Sequence, residues 1–326
     1  MTFWENTRSK AGAILKAALG LLLFVCVDYS VYSVFVAFKI DYDVYSGTIT
    51  TVINIVTFSV MFLVHLFSST KKDPLIKLKK ISPDQAGALV IIALGMLGFV
   101  TMYIILADKI ALYLDSMKEA MVDYRESVDR YSDTPQIVVP VWDSVLYAIA
   151  ISFFVPVAEE MCFRGVVFGQ LRRAFGPVSA VLLSAVGFGI MHGISVHIGY
   201  ALICGILIAS CYYLTDSIAT PVILHMIFNI FGSGIANFMN IEYFGIPEDI
   251  RVPVLTGINT ASLLFMPLSV IALAYLLNIK RNKDKVNAVK TENMSIQTGA
   301  DPDGDDVTES EKMPDMPLNS EIGVQK

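Results

Sequence analysis

The chain has 326 residues, of which 55% are hydrophobic and only 17% are charged, and its formal net charge is −6. A soluble globular protein carries more charge than this, so the composition excludes a soluble enzyme, a nucleic-acid-binding protein and a secreted disulfide scaffold. Apolar runs such as 86–107 and 257–279 are about long enough to cross ~30 Å of hydrocarbon as helices. The sequence therefore predicts an all-α polytopic membrane protein.

Eight apolar segments are predicted to cross the membrane. In chain order they are approximately residues 11–38, 48–69, 86–107, 143–169, 177–192, 196–214, 217–238 and 257–279. The fifth and sixth segments are the least distinct, because only residues 193–195 separate them. A helical pair that breaks near His192 fits this part of the pattern equally well.

Lysine and arginine residues cluster before the first predicted span and after the second, fourth and eighth. An even number of spans places all four clusters on one side of the membrane, which the positive-inside rule identifies as the cytoplasmic side. We therefore expect both termini to be cytoplasmic, and the short loops and basic clusters fit a bacterial plasma membrane.

Four regions follow from this organisation. They are an N-terminal three-span region with an outer loop (1–142), a polar-rich core (143–240), an outer loop with the last span (241–282) and an acidic tail (283–326). The outer loop at 108–142 has mixed charge and is interpreted as an amphipathic extension of the third helix. The tail has ten acidic residues, five lysines and no aromatic residue, which predicts disorder. No phosphate-binding or dinucleotide motif is present, so neither a nucleotide nor a nucleic-acid partner is expected.

Two adjacent glutamates lie in the fourth predicted span, where ionisable side chains are costly and usually functional. Glu160 and Arg164 are four residues apart, with the acid N-terminal, so they are predicted to pair on one helix face. Glu159 points about 100° away and has no such local partner, which suits a general base. The alternative interpretation is a charge pair that only holds two helices together.

Polar side chains recur in the later spans. His225 and Asn229 are four residues apart in the seventh span, so both side chains are directed to one spot. Alone, this pair is equally typical of interhelical hydrogen bonds. His192 ends the fifth span, four residues after Phe188, and Asp28 lies within the first span without an evident local partner or an assigned role.

Taken together, Glu-Glu-x-x-x-Arg, Phe-x-x-x-His and His-x-x-x-Asn on successive spans resemble the motifs of the CPBP family of intramembrane endopeptidases. That family includes the CAAX prenyl endopeptidases and bacterial relatives tied to bacteriocin immunity, the Abi proteins. The resemblance covers residues 143–240. It implies a catalytic core of helices around a water-filled cavity, which hydrolyses a peptide bond of a membrane protein or lipidated peptide within or near the lipid bilayer.

The resemblance also implies roles for the motif residues. Glu159 and His192 would activate a water molecule, and His225 and Asn229 would stabilise the oxyanion. The remaining motif residues would hold the architecture of the site: Glu160, Arg164 and Phe188.

The residues leave the question of a metal open. The motif H-E-x-x-H is absent and asparagine is a poor zinc ligand, so we assign no metal and favour a metal-independent mechanism. The chemistry nevertheless allows zinc, whose ligands would then be Glu159, His192 and His225, with water in the fourth position.

Two further functions are weighed against proteolysis. A non-proteolytic immunity or regulatory protein would use the same fold to bind a partner, although the intact motifs argue against this. A secondary transporter would also have polar residues near the bilayer centre, but that class often has two related halves and none is visible.

Helix counting raises one geometric difficulty. Glu159 falls near the cytoplasmic end of the fourth span, whereas His192 falls near the outer end of the fifth. Tilted, broken or shifted helices are therefore expected, as is tolerated where the backbone lines a protein-enclosed cavity.

Overall fold

The structure is a computed structural model. It describes residues 10–70, 74–129, 138–193 and 195–298. Within these residues the regular secondary structure is helical, without strands. The α-helices are α1 (Lys10–Ala37), α2 (Tyr42–Ser68), α3 (Pro83–Ala111), α4 (Asp115–Asp129), α5 (Val141–Ile149), α6 (Val155–Glu160), α7 (Phe168–Phe175), α8 (Pro177–Met191), α9 (Ser195–Thr215), α10 (Ala219–Asn229), α11 (Ile235–Met239) and α12 (Glu248–Thr298).

Seven helices among the described residues are long and apolar enough to cross a membrane, which confirms an all-α integral membrane protein. The fourth of them runs through α5, α6 and α7 as one helix, Val141–Phe175. The predicted fifth span corresponds to α8, which has 15 residues and a length of about 22 Å. It is shorter than the ~30 Å hydrocarbon layer, so the expected count of eight spans becomes seven long helices and one short helix.

Three π-helical turns interrupt the long helices of the polar-rich core. Ala150–Phe154 and Met161–Val167 lie on either side of α6, and Ile230–Gly234 lies between α10 and α11. Pro156 near the start of α6 has no amide hydrogen to donate, which favours such a change in the hydrogen-bonding pattern. π-Helical turns are frequent at functional sites because they shift the register of the side chains that follow.

Two apolar clusters hold the bundle together, and α9 contributes to both. The first joins α1, α7, α8 and α9 around Phe163, Phe168 and Tyr212. The second joins α3, α9, α10 and α12 around Ile208 and Leu224. Many other large apolar side chains face outward, as expected for helices in contact with lipid.

The segment after the third span, predicted to be an outer loop, differs from the sequence interpretation. The helix α3 ends at Ala111, and a separate amphipathic helix, α4, follows it instead of a continuous extension. Met121 of α4 packs with Ala107 of α3 and Val196 of α9, which directs α4 back onto the bundle. The predicted loop also includes residues 130–137, which lie outside the described residues.

The acidic tail begins as helix. The chain divides into two units at Lys280, and the described part of the second unit, residues 281–298, is helical. The prediction of disorder from Lys283 is therefore wrong for residues 283–298, because this stretch contains no glycine or proline and continues a helix that has already formed. The rest of the tail lies outside the described residues.

Candidate active site

Glu160 is the centre of a buried charged cluster. Its Oε1 accepts a hydrogen bond of 2.8 Å from Nη1 of Arg164, so the pair expected from the sequence spacing is present. The same oxygen lies 2.8 Å from Nδ1 of His225 on α10. Glu160 and Arg164 are fully buried, and a buried carboxylate is tolerated only when its charge is compensated in this way.

Arg164 connects this cluster to two neighbouring helices. Its Nη2 donates a hydrogen bond of 3.2 Å to the carbonyl oxygen of Gly205 on α9. Its guanidinium group lies 4.6 Å from the centre of the Phe188 ring on α8, a cation–π distance. The arginine therefore fixes α8 and α9 against the helix that carries both glutamates.

His225 lies between the two glutamates. Because a carboxylate only accepts hydrogen bonds, the proton on Nδ1 is directed to Glu160. The other nitrogen, Nε2, then lies 3.9 Å from Oε2 of Glu159. The sequence did not predict the contact between His225 and Glu160, since the two residues are far apart in the chain.

Glu159 is the accessible acid of the pair. Its side chain is 20% exposed, whereas that of Glu160 is fully buried. Its Oε2 is buried and has no hydrogen-bond partner among the described residues. A carboxylate oxygen in this state needs a donor, and a water molecule between Glu159 and a substrate would provide one.

His192 adjoins this cluster through an aromatic ring. It caps the C-terminus of α8, and its Nδ1 donates to the carbonyl oxygen of Phe188 at 2.8 Å. Ring centres of Phe188 and His192 are 4.5 Å apart, and those of Phe188 and His225 are 5.8 Å apart. With its proton on Nδ1, neutral His192 presents Nε2 as an acceptor.

Asn229 follows His225 by one helical turn but is engaged elsewhere. Its Nδ2 donates a hydrogen bond of 2.8 Å to the carbonyl oxygen of Ile151, in the first π-helical turn. This bond ties α10 to the helix that carries the glutamates. The acceptors Ile151 and Gly205 were not found from the sequence, because a backbone carbonyl has no side-chain signal.

The described residues do not fit a metal centre. No group of three His, Cys, Asp or Glu side chains among them is arranged to hold an ion. Glu159 and His225 approach each other, but His192 does not join them in a three-ligand group. The set that would have bound zinc, with His192 as third ligand, is therefore not assembled.

The protein is an integral membrane protein in which an acid, its paired neighbour and a histidine converge inside a helical bundle. Buried groups of this kind, with one carboxylate oxygen left without a hydrogen-bond partner, are typical of sites for acid–base chemistry.

Comparison with known proteins confirms the resemblance. Residues 141–231 match the family described as type II CAAX prenyl endopeptidase Rce1-like. The chain is also 31% identical, over 123 residues, to a Bacillus subtilis protein named "Putative membrane peptidase YdiL". That match covers 37% of this chain and 50% of the relative, so the chain spans about half the length of the curated relative it matches. No solved structure matches the chain.

This segment is therefore similar to membrane proteases of the CAAX type, as the motifs predict. The segment contains all seven motif residues and all three π-helical turns begin within it. The three spans that precede it lie outside the family match.

Proposed function

We propose that the protein is an intramembrane endopeptidase of the CAAX-protease type. It hydrolyses a peptide bond of a membrane protein or lipidated peptide, within or near the bilayer. The observation that carries this proposal is the difference in hydrogen bonding and exposure between the adjacent glutamates. Glu160 is fully buried and its Oε1 is bonded to Arg164 and His225, whereas the side chain of Glu159 is 20% exposed and its Oε2 has no hydrogen-bond partner among the described residues.

In the proposed reaction Glu159 is the general base. Its Oε2 accepts a proton from a water molecule, whose oxygen attacks the carbonyl carbon of the scissile peptide bond. His192 holds the same water through its Nε2, which is available because its Nδ1 proton is bonded to Phe188. The proton held by Glu159 then passes to the nitrogen of the leaving amine.

His225 stabilises the oxyanion from its Nε2. With Nδ1 bonded to Glu160, Nε2 donates to the oxyanion when the imidazole carries its second proton. Asn229 uses one amide hydrogen to hold Ile151, and its second hydrogen remains for the oxyanion. Donors of this type typically contribute on the order of 10²–10³ in turnover.

The test is peptide hydrolysis by the full chain in liposomes. A fluorescent peptide with a C-terminal prenylated CAAX sequence is the first probe, and cleavage is followed by mass spectrometry. Wild-type protein is expected to release the C-terminal fragment, and Glu159→Gln to release none at equal abundance. Glu242→Gln is the matched control, because Glu242 is exposed and lies outside the cluster.

A second experiment tests for proteolysis without relying on the choice of one peptide. Membranes that contain wild-type protein or Glu159→Gln are compared for new protein N-termini. If neither the peptide nor any membrane protein is cleaved in a manner that depends on Glu159, the proteolytic proposal is wrong. A non-proteolytic regulatory protein of the same fold would then be the better assignment.

A further inference from the structure

A carboxylate outside the family match approaches the candidate active site. Asp28 lies in α1, and its Oδ1 accepts a hydrogen bond from Oγ1 of Thr57 on α2. Thr57 is fully buried and Asp28 is partly buried. An ionisable side chain in a membrane span has a high free-energy cost, and such side chains usually have a functional role.

The packing register of α1 brings Asp28 to Glu159. A Cβ atom at Gly20 would lie 2.9 Å from Val166, and the rings of Phe24 and Phe163 are 6.1 Å apart. Moving along α1 by one turn therefore moves back along the glutamate helix by about one turn. The next step from Phe24 is Asp28, and the next step from Phe163 is Glu159.

Electrostatics agree with this register. The carboxylates of Asp28 and Glu159 are close enough for their charges to interact. Both also interact with the thiol of Cys162, three residues after Glu159. The packing and the charges thus place a second acid, fixed by its own hydrogen bond, beside the proposed general base.

We infer that Asp28 is a positioning residue of the active site, which directs the carboxylate of Glu159 through charge repulsion. When it is protonated, His225 on α10 attracts the same carboxylate, from which its Nε2 lies 3.9 Å away. Two charges of opposite sign on different helices hold Glu159 in one orientation, facing His225. This inference rests on the proposed function, and it makes α1 and α2 part of the catalytic apparatus.

The matched variants separate charge from hydrogen bonding. Asp28→Asn keeps the shape and an oxygen that accepts from Thr57, but it removes the charge. Thr57→Val keeps the charge and removes its anchor. Asp28→Glu keeps the charge on a longer side chain. Asp43→Asn is the control, because Asp43 is an exposed aspartate on α2.

The kinetic arm uses the peptide assay. Asp28→Asn is expected to lower kcat roughly tenfold with KM unchanged, because one charge at short range in a membrane site is worth about this factor. Asp28→Glu should recover part of the loss, and Thr57→Val should fall between Asp28→Asn and the wild type. A kcat for Asp28→Asn equal to that of Asp43→Asn and wild type would overturn the inference.

A thermal-unfolding arm does not depend on proteolysis. If the two acids repel each other, Asp28→Asn and Glu159→Gln each raise the melting temperature in detergent. The melting temperature of the double variant should then rise no more than that of either single variant, because the two substitutions remove the same repulsion. Additive shifts, or a melting temperature that falls in Asp28→Asn and accounts for its loss of activity, would assign Asp28 to structure and overturn the inference.

The two arms also distinguish the two proposals. If wild-type protein cleaves nothing, the proposed function fails, while the non-additive melting temperatures still decide whether Asp28 acts on Glu159. If wild-type protein cleaves and Glu159→Gln does not, a normal kcat in Asp28→Asn overturns this inference alone.

Discussion

At the scale of single residues, adjacent glutamates have different environments although they are chemically identical. Oε1 of Glu160 contacts both the guanidinium of Arg164 and the imidazole of His225, whereas Oε2 of Glu159 lies 3.9 Å from the other nitrogen of that imidazole. A one-residue step along a helix turns the side chain by about 100°, which is enough to separate a fully buried side chain from one that is partly exposed.

Substitution Glu160→Gln tests the first of these environments. It leaves Arg164 buried without its counter-charge and removes the carboxylate that orients His225. We expect a loss of about 3–5 kcal/mol in the free energy of unfolding, together with a loss of activity. Thermal unfolding in detergent measures the first effect. Glu159→Gln should be at least as stable as the wild type, and equal instability of both variants would contradict the division of roles.

Metal removal tests the reaction type. Because the described side chains do not assemble three ligands, we expect chelators to leave peptide cleavage unchanged and elemental analysis to find no stoichiometric zinc. About one zinc per chain, lost together with activity and absent from His225→Ala, would instead make His225 a ligand. Its proposed role at the oxyanion would then be wrong.

The sequence predicted the local part of the site and not the long-range part. Glu160 and Arg164 are four residues apart, so helix geometry alone pairs them. The contact between Glu160 and His225 depends on how α10 packs against α6, which no local pattern encodes. For the same reason Asp28 had no predicted partner, although Thr57 on the next helix supplies one.

At the scale of the elements, the buried carboxylate of Asp143 caps the part of α2 that follows a break in its helical geometry. The backbone of α2 leaves helical geometry at Tyr45, which frees amide hydrogens in the following turn. Asp143, near the start of α5, accepts from the amides of Gly47 at 2.7 Å and Thr48 at 2.9 Å. It also accepts from the Thr48 hydroxyl at 2.6 Å, so it acts as an N-cap supplied by another helix.

Removal of this cap should destabilise the bundle. Asp143→Ala leaves buried amides without an acceptor, and we expect a loss of about 2–4 kcal/mol in the free energy of unfolding. Asp123→Ala, at an exposed position on α4, is the control. Gly47→Ala should be at least as harmful, since its Cβ would lie 2.1 Å from the carbonyl oxygen of Asp143. Normal melting temperatures for both variants would contradict this account.

Element positions were easier to predict than element breaks. The apolar runs located the spans because 20 or so apolar residues have few other stable conformations. The π-helical turns around α6 were not predicted, since their residues have the same apolar composition as ordinary helix. They arise where packing and Pro156 interrupt the regular hydrogen bonds.

At the scale of the whole molecule, one aspartate joins three distant parts of the first compact unit. Asp216, between α9 and α10, forms ion pairs with Lys77 at 2.9 Å, Lys79 at 2.9 Å and Lys280 at 3.0 Å. Burial alone would raise the pKa of Asp216, but the three lysines together hold this pKa well below its usual range. The segment after α2 and the membrane part of α12 are thereby fixed to the same turn.

This cluster predicts the response of the protein to acid. A depressed pKa in the folded state means that the stabilisation is fully present above the ordinary pKa of 3.8 and is lost as the pH falls below it. The melting temperature of wild type should therefore fall more steeply below pH ~4 than that of Asp216→Asn. Parallel curves for the two proteins would show that the cluster contributes nothing to stability.

Membrane topology remains a prediction and is open to direct measurement. The basic clusters predict that Arg281 is cytoplasmic and that Asp43 and Asp249 lie on the opposite side. Single cysteines at these three positions, in a chain without its four native cysteines, can be labelled with a membrane-impermeant maleimide. Labelling of all three positions from the same side would contradict the predicted topology.

The length of α8 has a consequence for the lipid around the protein. A helix of 15 residues is about 8 Å too short for a ~30 Å hydrocarbon layer. Such a mismatch is relieved when the bilayer thins beside the helix, which draws headgroups and their hydration towards its ends. His192 caps one of these ends, next to the ring that contacts His225. A thinned bilayer at this point would bring water, the second reactant of any hydrolysis, to a depth where the hydrocarbon layer otherwise excludes it.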